Sequence, residues 1–182
     1  GFMRSLMILP IFATPFAIGF MFFTILFEIS GPLAWMGIPF LSNHNWAPFS
    51  VMLVDIWQWT PFCFLVFLAA LQGIPDDLIE AATLDTKSAY KIWTSVILPL
   101  LQPIIVLVIL LRVAESAKLY DYIASLTKGG PGTATQSVSF LVFNKAFKMN
   151  DFGYASAGSF LMLIVVMVFV MLFFTRLRKT YE

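Results

Sequence analysis

Glu80-Ala81-Ala82-Thr83-Leu84-Asp85, followed at a fixed distance by Val96-Ile97-Leu98-Pro99, is a charged, helix-prone insert between two strongly apolar stretches. Each flanking stretch is long enough to cross a bilayer, so the insert has to serve something outside the lipid. The fold follows from extending this pattern in both directions along the chain.

Four stretches reach the roughly 20 apolar residues that a membrane crossing needs. The first, 6–27, runs from Leu6 to Phe27 without a charge, between Arg4 and Glu28. The second, 49–71, is interrupted only by Asp55 and Gln58 among strongly polar side chains. The third, 96–117, carries Arg112 and Glu115 near its far end, and the fourth, 153–174, ends at Arg176-Leu177-Arg178-Lys179. A soluble helical bundle would show a polar face along such helices, and these show none. The expected fold is therefore an all-α integral membrane protein, one domain over 1–182 with four transmembrane helices and an elbow at 74–95. Composition agrees: 60% of residues are hydrophobic and 12% charged, about half the usual charged share. Lys+Arg 11 against Asp+Glu 10 leaves no basic surface for nucleic acid. The single cysteine, Cys63, excludes an internal disulfide framework and reads as a small buried hydrophobe rather than a reactive thiol.

Basic residues near the span ends set the orientation. Arg4, Lys87, Lys91, Arg176, Arg178 and Lys179 fall on one side, and Lys118, Lys128, Lys145 and Lys148 on the other. Both termini and the Glu80 insert are thus expected in the cytoplasm, with Glu28–Pro48 and Leu119–Phe152 outside. The first apolar run is too long for a signal peptide and Phe27-Glu28-Ile29 offers no small-residue cleavage site. A start at Gly1 suggests a processed chain or a fragment.

Within the insert, Gly73-Ile74-Pro75-Asp76-Asp77 closes the second span and opens a helix, with two aspartates at the positive end of its macrodipole. Asp85-Thr86-Lys87-Ser88 is a turn in which Thr86 or Asp85 can cap a second short helix, Ala89 to Ser95. Pro99 is expected to fix where the third span begins. On physics alone this helix–turn–helix elbow is either a partner surface or an amphipathic loop lying on the membrane.

Glu80-Ala81-Ala82, Asp85 and Leu98-Pro99 resemble the cytoplasmic EAA motif of binding-protein-dependent ABC importer permeases, the MetI-like transmembrane subunits. Ala69-Ala70-Leu71-Gln72-Gly73-Ile74-Pro75, Leu126-Thr127-Lys128-Gly129-Gly130-Pro131 and Gly153-Tyr154-Ala155-Ser156-Ala157 look like the carbohydrate and polyol branch of that family, the maltose and glycerol-3-phosphate type. The resemblance implies a bacterial or archaeal inner-membrane subunit. A second permease subunit, a cytoplasmic ABC ATPase dimer and an extracytoplasmic substrate-binding protein would be its partners. It places ATPase coupling on Glu80, Ala81, Ala82, Asp85, Thr86, Leu98 and Pro99, and implies about two further spans upstream of Gly1. The family usually has glycine where this chain has Thr86, so the turn is either strained or rebuilt. We expect a rebuilt turn with non-positive φ. No G-x-x-x-x-G-K-[ST] pattern occurs, and Gly129-Gly130-Pro131-Gly132 follows Lys128 on the outer side. No cofactor is therefore expected in this chain, with ATP and Mg on the partner ATPase. The Gly/Pro stretch is either a turn gripping neighbouring loops or a binding protein, or a plain loop.

Charges at membrane depth are functional candidates. Arg112 and Glu115 are spaced i,i+3 and can pair. One reading is a structural ion pair plus an Asp55 bonded to a neighbouring helix. The other lines a sugar or polyol path with Asp55, Trp59 and Glu115, and its mouth with Tyr120 and Asp121. His44 stands alone, so no metal site is expected. Trp35 and Trp46 read as interfacial anchors, and Pro10, Pro15, Gly19 and Pro61 as bends. Small residues at Gly153/Ala157 and Ala155/Ser159 favour close helix packing. With no nucleophile or acid–base constellation the chain is not expected to be an enzyme. Two classes remain, an ATP-driven importer permease and an autonomous secondary transporter or channel, the latter needing an ion relay and usually internal repeats.

Overall fold

The computed structural model describes residues 8–181, with side chains as far as Thr175. Arg4 and Leu6 lie outside the described residues, as do the side chains of Arg176, Arg178 and Lys179. Every regular element among the described residues is helical.

Three of the expected spans are helices long and apolar enough to cross a membrane: Trp46–Gln72, Ala89–Ala117, and the helix Phe152–Tyr181, whose apolar part reaches Thr175. At 1.5 Å per residue the 27-residue second helix is about 40 Å long, ample for a hydrocarbon core of about 30 Å. The first expected span is divided. Residues 8–12 are helical, the chain then breaks at Ala13-Thr14, and a new helix runs Pro15–Leu26. Thr14 sits at φ −66°, ψ 142° and its hydroxyl accepts the Ala17 N–H at 3.4 Å, a side-chain N-cap inside an apolar run. Pro15, at the first position of the new helix, has no N–H for the preceding turn, so a continuous helix over 6–27 gives way to two pieces.

The third span also differs from expectation. The second elbow helix and the span form one helix, Ala89–Ala117, and Pro99 does not begin it. Trp93–Ile97 widens into a π turn in which the Leu98 N–H donates to the Trp93 carbonyl. A proline ring clashes with the carbonyl four residues back, here Ser95, and the wider turn just before Pro99 accommodates it.

Leu119–Phe152, expected as an external loop, folds back onto the bundle. Residues 121–127 form a short helix ending in a second π turn, with the Lys128 N–H 2.6 Å from the Ile123 carbonyl. It packs across the first span at Gly19, where a Cβ would lie 1.8 Å from Ser125 Oγ. Tyr122, Ile123 and Leu126 of this helix join Ile18, Leu26, Val51, Val54 and Phe140 in the buried core. The following turn places Lys128, Gly129 and Gly132 at positive φ. Gly129 is held so close to Phe140 that a Cβ would come 2.7 Å from its ring. The Gly/Pro stretch therefore grips its own chain. Ser137 then caps Val138–Phe147 by accepting the Phe140 N–H at 3.1 Å, and this helix forms a hairpin with the last span, Gly158 facing Val142.

Candidate functional site

Two constellations stand at opposite ends of the third helix. At its N-terminal end is the elbow. The helix Asp76–Asp85 carries Asp76 and Asp77 in its first turn and packs by Ala82, its buried residue, against the start of Ala89–Ala117. Glu80, Ala81 and Asp85 are exposed, as are Leu98 and Pro99. Leu84 is 90% and Tyr90 77% exposed, so the elbow presents apolar and acidic groups together. The Glu80 carboxylate makes no hydrogen bond or ion pair among the described residues.

Thr86 leaves the elbow helix at φ −151°, ψ 138°, in extended backbone. Its N–H donates to the Ala82 carbonyl at 3.1 Å, and its hydroxyl accepts the Ser88 N–H at 3.2 Å. The turn is thus rebuilt without a left-handed residue. Ser88, not Thr86 or Asp85, is the N-cap of the following helix, and it forms no side-chain cap bond. The threonine hydroxyl orders the turn two residues upstream.

The second constellation lies near the other end of that helix. Arg112 donates to Asp55 of the second span and stacks over Trp59 with its guanidinium carbon 4.7 Å from the ring centroid. Glu115 instead accepts from Lys118 at 2.8 Å, an exposed pair. The expected Arg112–Glu115 pairing is therefore corrected: Asp55 is the acid that faces Arg112 across the helix interface, and Glu115 points away. Arg112 Nη1 is buried with no acceptor. One helical step from Asp55, the buried Gln58 side chain donates to the Ala13 carbonyl at 2.9 Å and accepts the Tyr122 hydroxyl at 2.5 Å.

Of the expected path residues, Asp55 and Trp59 come together around Arg112, whereas Glu115, Tyr120 and Asp121 do not join them. Tyr120 stacks on Phe143, centroids 4.7 Å apart, and lines a separate cavity of about 870 Å³. Phe147, Phe152, Phe160 and Ser159 also line that cavity. Burial, with the Asp121 charge beside it, holds the Tyr120 phenol above its ordinary value. On the loop between the first two spans, burial raises the Glu28 carboxyl, but bonds from the Ser42 hydroxyl and the Ser42 and Leu41 N–H groups outweigh it. The carboxyl is left below its usual range. Sequence reasoning missed Gln58 and Tyr122 as a pair. The available signal was Gln58 itself, one of two strongly polar interruptions of the second span.

The fold matches the crystal structure of a bacterial ABC transporter involved in the import of the acidic polysaccharide alginate. The TM-score is 0.87 at 22% identity, covering 99% of this chain and 66% of that one. The trehalose/maltose transport system permease protein MalF of Thermococcus litoralis is 39% identical over 142 residues, 78% of this chain and 46% of the relative. The multiple sugar-binding transport system permease protein MsmF of Streptococcus mutans is 34% identical over 152 residues, 81% and 52% respectively. The chain spans about half the length of these relatives. Residues 1–182 match the family described as the binding-protein-dependent transport system inner membrane component. The chain is a member of that family of multi-pass inner-membrane transport components.

Proposed function

We propose that this chain is the permease subunit of an ATP-driven importer of a sugar or polyol. With a second permease subunit it forms the translocation path, and its elbow docks on a cytoplasmic ATPase dimer that binds ATP and Mg. An extracytoplasmic binding protein delivers the substrate. The supporting observation is mechanical: the elbow's second arm and the third span are one 29-residue helix, about 43 Å long. Motion imposed at Tyr90, and at Glu80 and Leu84 through the Ala82 packing, is thereby carried along one continuous helix to Arg112, beside Asp55 and Trp59.

The carbohydrate class rests on the names of the relatives and on the chemistry of that cluster. Arg112 Nη1, buried without an acceptor, is a donor for a hydroxyl oxygen, and the indole of Trp59 supplies an apolar wall. Asp55, held by Arg112, orients the guanidinium more than it meets ligand. An autonomous transporter or channel loses its expected relay, because Arg112 and Glu115 are bonded to different partners. The test is Glu80→Lys in the full-length protein assembled with its ATPase and partner subunits in proteoliposomes. Substrate-stimulated ATP hydrolysis should be lost while the permease remains inserted. Uptake at the unaltered rate would overturn the coupling role.

A further inference from the structure

The break in the first span frees a carbonyl at membrane depth. In a continuous helix the Ala13 carbonyl would accept the Ala17 N–H, but that N–H is turned to the Thr14 hydroxyl. An unmatched carbonyl in lipid costs several kcal/mol, so broken helices cross membranes only where neighbours re-satisfy the backbone. Here the neighbour is Gln58, 4% exposed, whose amide N–H reaches Ala13 from 45 residues away. Its other end is equally committed, accepting the Tyr122 hydroxyl across 64 residues. Both ends of one side chain thus bind two elements that otherwise meet at the Gly19–Ser125 crossing.

We propose that Gln58 is a positioning residue. It clasps the broken first span and the fold-back helix 121–127 to the second span, so that the three move as one body, carrying Asp55, relative to Arg112 on the third span. Its amide is specifically suited to this, since it gives a donor at one end and an acceptor at the other. Leucine fills the space and makes neither bond. A protonated glutamic acid makes both, donating its O–H to Ala13 and accepting from Tyr122, whereas the carboxylate has no donor for Ala13. The charged groups around the clasp are Asp55 on the same helix, Arg112 from the third span, and Asp121 beside Tyr122 on the fold-back helix. The consequence for transport rests on the permease reading above. The clasp itself is measurable without it.

The experiment is backbone hydrogen exchange of the full-length protein in its assembled complex in lipid nanodiscs, each variant compared with the unaltered protein at the same pH. Gln58→Leu should speed exchange about tenfold or more in both Pro15–Leu26 and 121–127, the effect of about one lost buried hydrogen bond. Gln58→Glu should keep protection in both segments at about pH 5, where the carboxyl is protonated, and lose it only as pH is raised far enough to ionise a carboxyl that burial lifts above its ordinary range. Tyr122→Phe should loosen 121–127 and spare Pro15–Leu26. Exchange unchanged in either segment of Gln58→Leu, or a Gln58→Glu variant that at about pH 5 is no better protected than Gln58→Leu, overturns the clasp. Should Gln58→Leu fail to assemble, Gln58→Glu assembled at low pH and then shifted upward decides alone. Substrate uptake by the unaltered complex, assayed in parallel, tests the permease reading separately.

Discussion

Exchanging the membrane-depth ion pair for apolar residues tests whether Asp55 and Arg112 act as one unit. Their side chains keep only 15% and 19% of their exposure, and Arg112 is further covered by Trp59. Breaking a fully buried pair by removing one partner costs about 3–5 kcal/mol, because the survivor is left charged and unmatched. The remaining exposure, and the Trp59 face that Arg112 retains, reduce this to about 2 kcal/mol for Asp55→Leu and for Arg112→Met. The double variant carries no stranded charge and should cost about 1 kcal/mol or less, since buried pairs often yield to apolar residues without loss. Simple addition would give about 4 kcal/mol, so the coupling is about 3 kcal/mol. Unfolding in mixed micelles, followed by tryptophan fluorescence, measures all corners of the cycle. A double variant as unstable as the summed singles would refute the pairing and return Arg112 to Glu115.

Gly19→Ala places a methyl 1.8 Å from Ser125 Oγ and 2.9 Å from its Cβ, and should cost about 2 kcal/mol in the same unfolding assay. Adding Ser125→Gly should make the protein more stable than Gly19→Ala alone, and no recovery would mean that the crossing is elsewhere. Thr86→Gly should lower stability by about 1 kcal/mol, losing the bond to Ser88 and gaining chain entropy, with Thr86→Ser near neutral. A stabilised glycine variant would show that the extended turn is strained. The Glu28 carboxyl is lowered in the folded protein, so its hold on Leu41–Ser42 is present at neutral pH and lost as pH falls through the carboxylate range. Exchange at the Ser42 amide should therefore rise on acidification, relative to its intrinsic rate, and Glu28→Gln should remove that acid step. For topology, Lys87→Cys should react with impermeant reagent only from the cytoplasmic side, and reaction in intact cells would invert the orientation.

Three membrane-length helices and the elbow helix Asp76–Asp85 were legible because apolar length and helix signals are local. The Thr86 turn was legible for the same reason: a β-branched residue where φ would have to be positive argues for a different backbone, and the extended φ of −151° agrees. The break at Ala13-Thr14 was half legible. Pro15 announced a bend, but a free carbonyl becomes a break only if something distant satisfies it, and Gln58 does so from 45 residues away. The partner of Arg112 was misread because i,i+3 spacing makes Glu115 available without making it preferred. Asp55, 57 residues distant, lies inside the helix interface, where an unpaired guanidinium would be most costly, while Glu115 faces outward to Lys118. The fold-back of 121–127 left no periodicity to read over so short a run. Its sign was Gly19, a residue whose missing side chain matters only once its neighbour is known.

The central claim, that the elbow is the face through which ATP hydrolysis is transmitted, is tested most directly by cross-linking at Leu84, 90% exposed at the elbow's tip. Leu84→Cys in a Cys63→Ser background, assembled with the partner subunits in inside-out vesicles, should cross-link to a cysteine introduced on the facing surface of the ATPase subunit through a short bis-methanethiosulfonate reagent, which forms a disulfide at each end. The cross-link should stop substrate-stimulated ATP hydrolysis until it is reduced. A complex that hydrolyses ATP in response to substrate, yet never cross-links from Leu84 or from Ala81→Cys, would contradict the account.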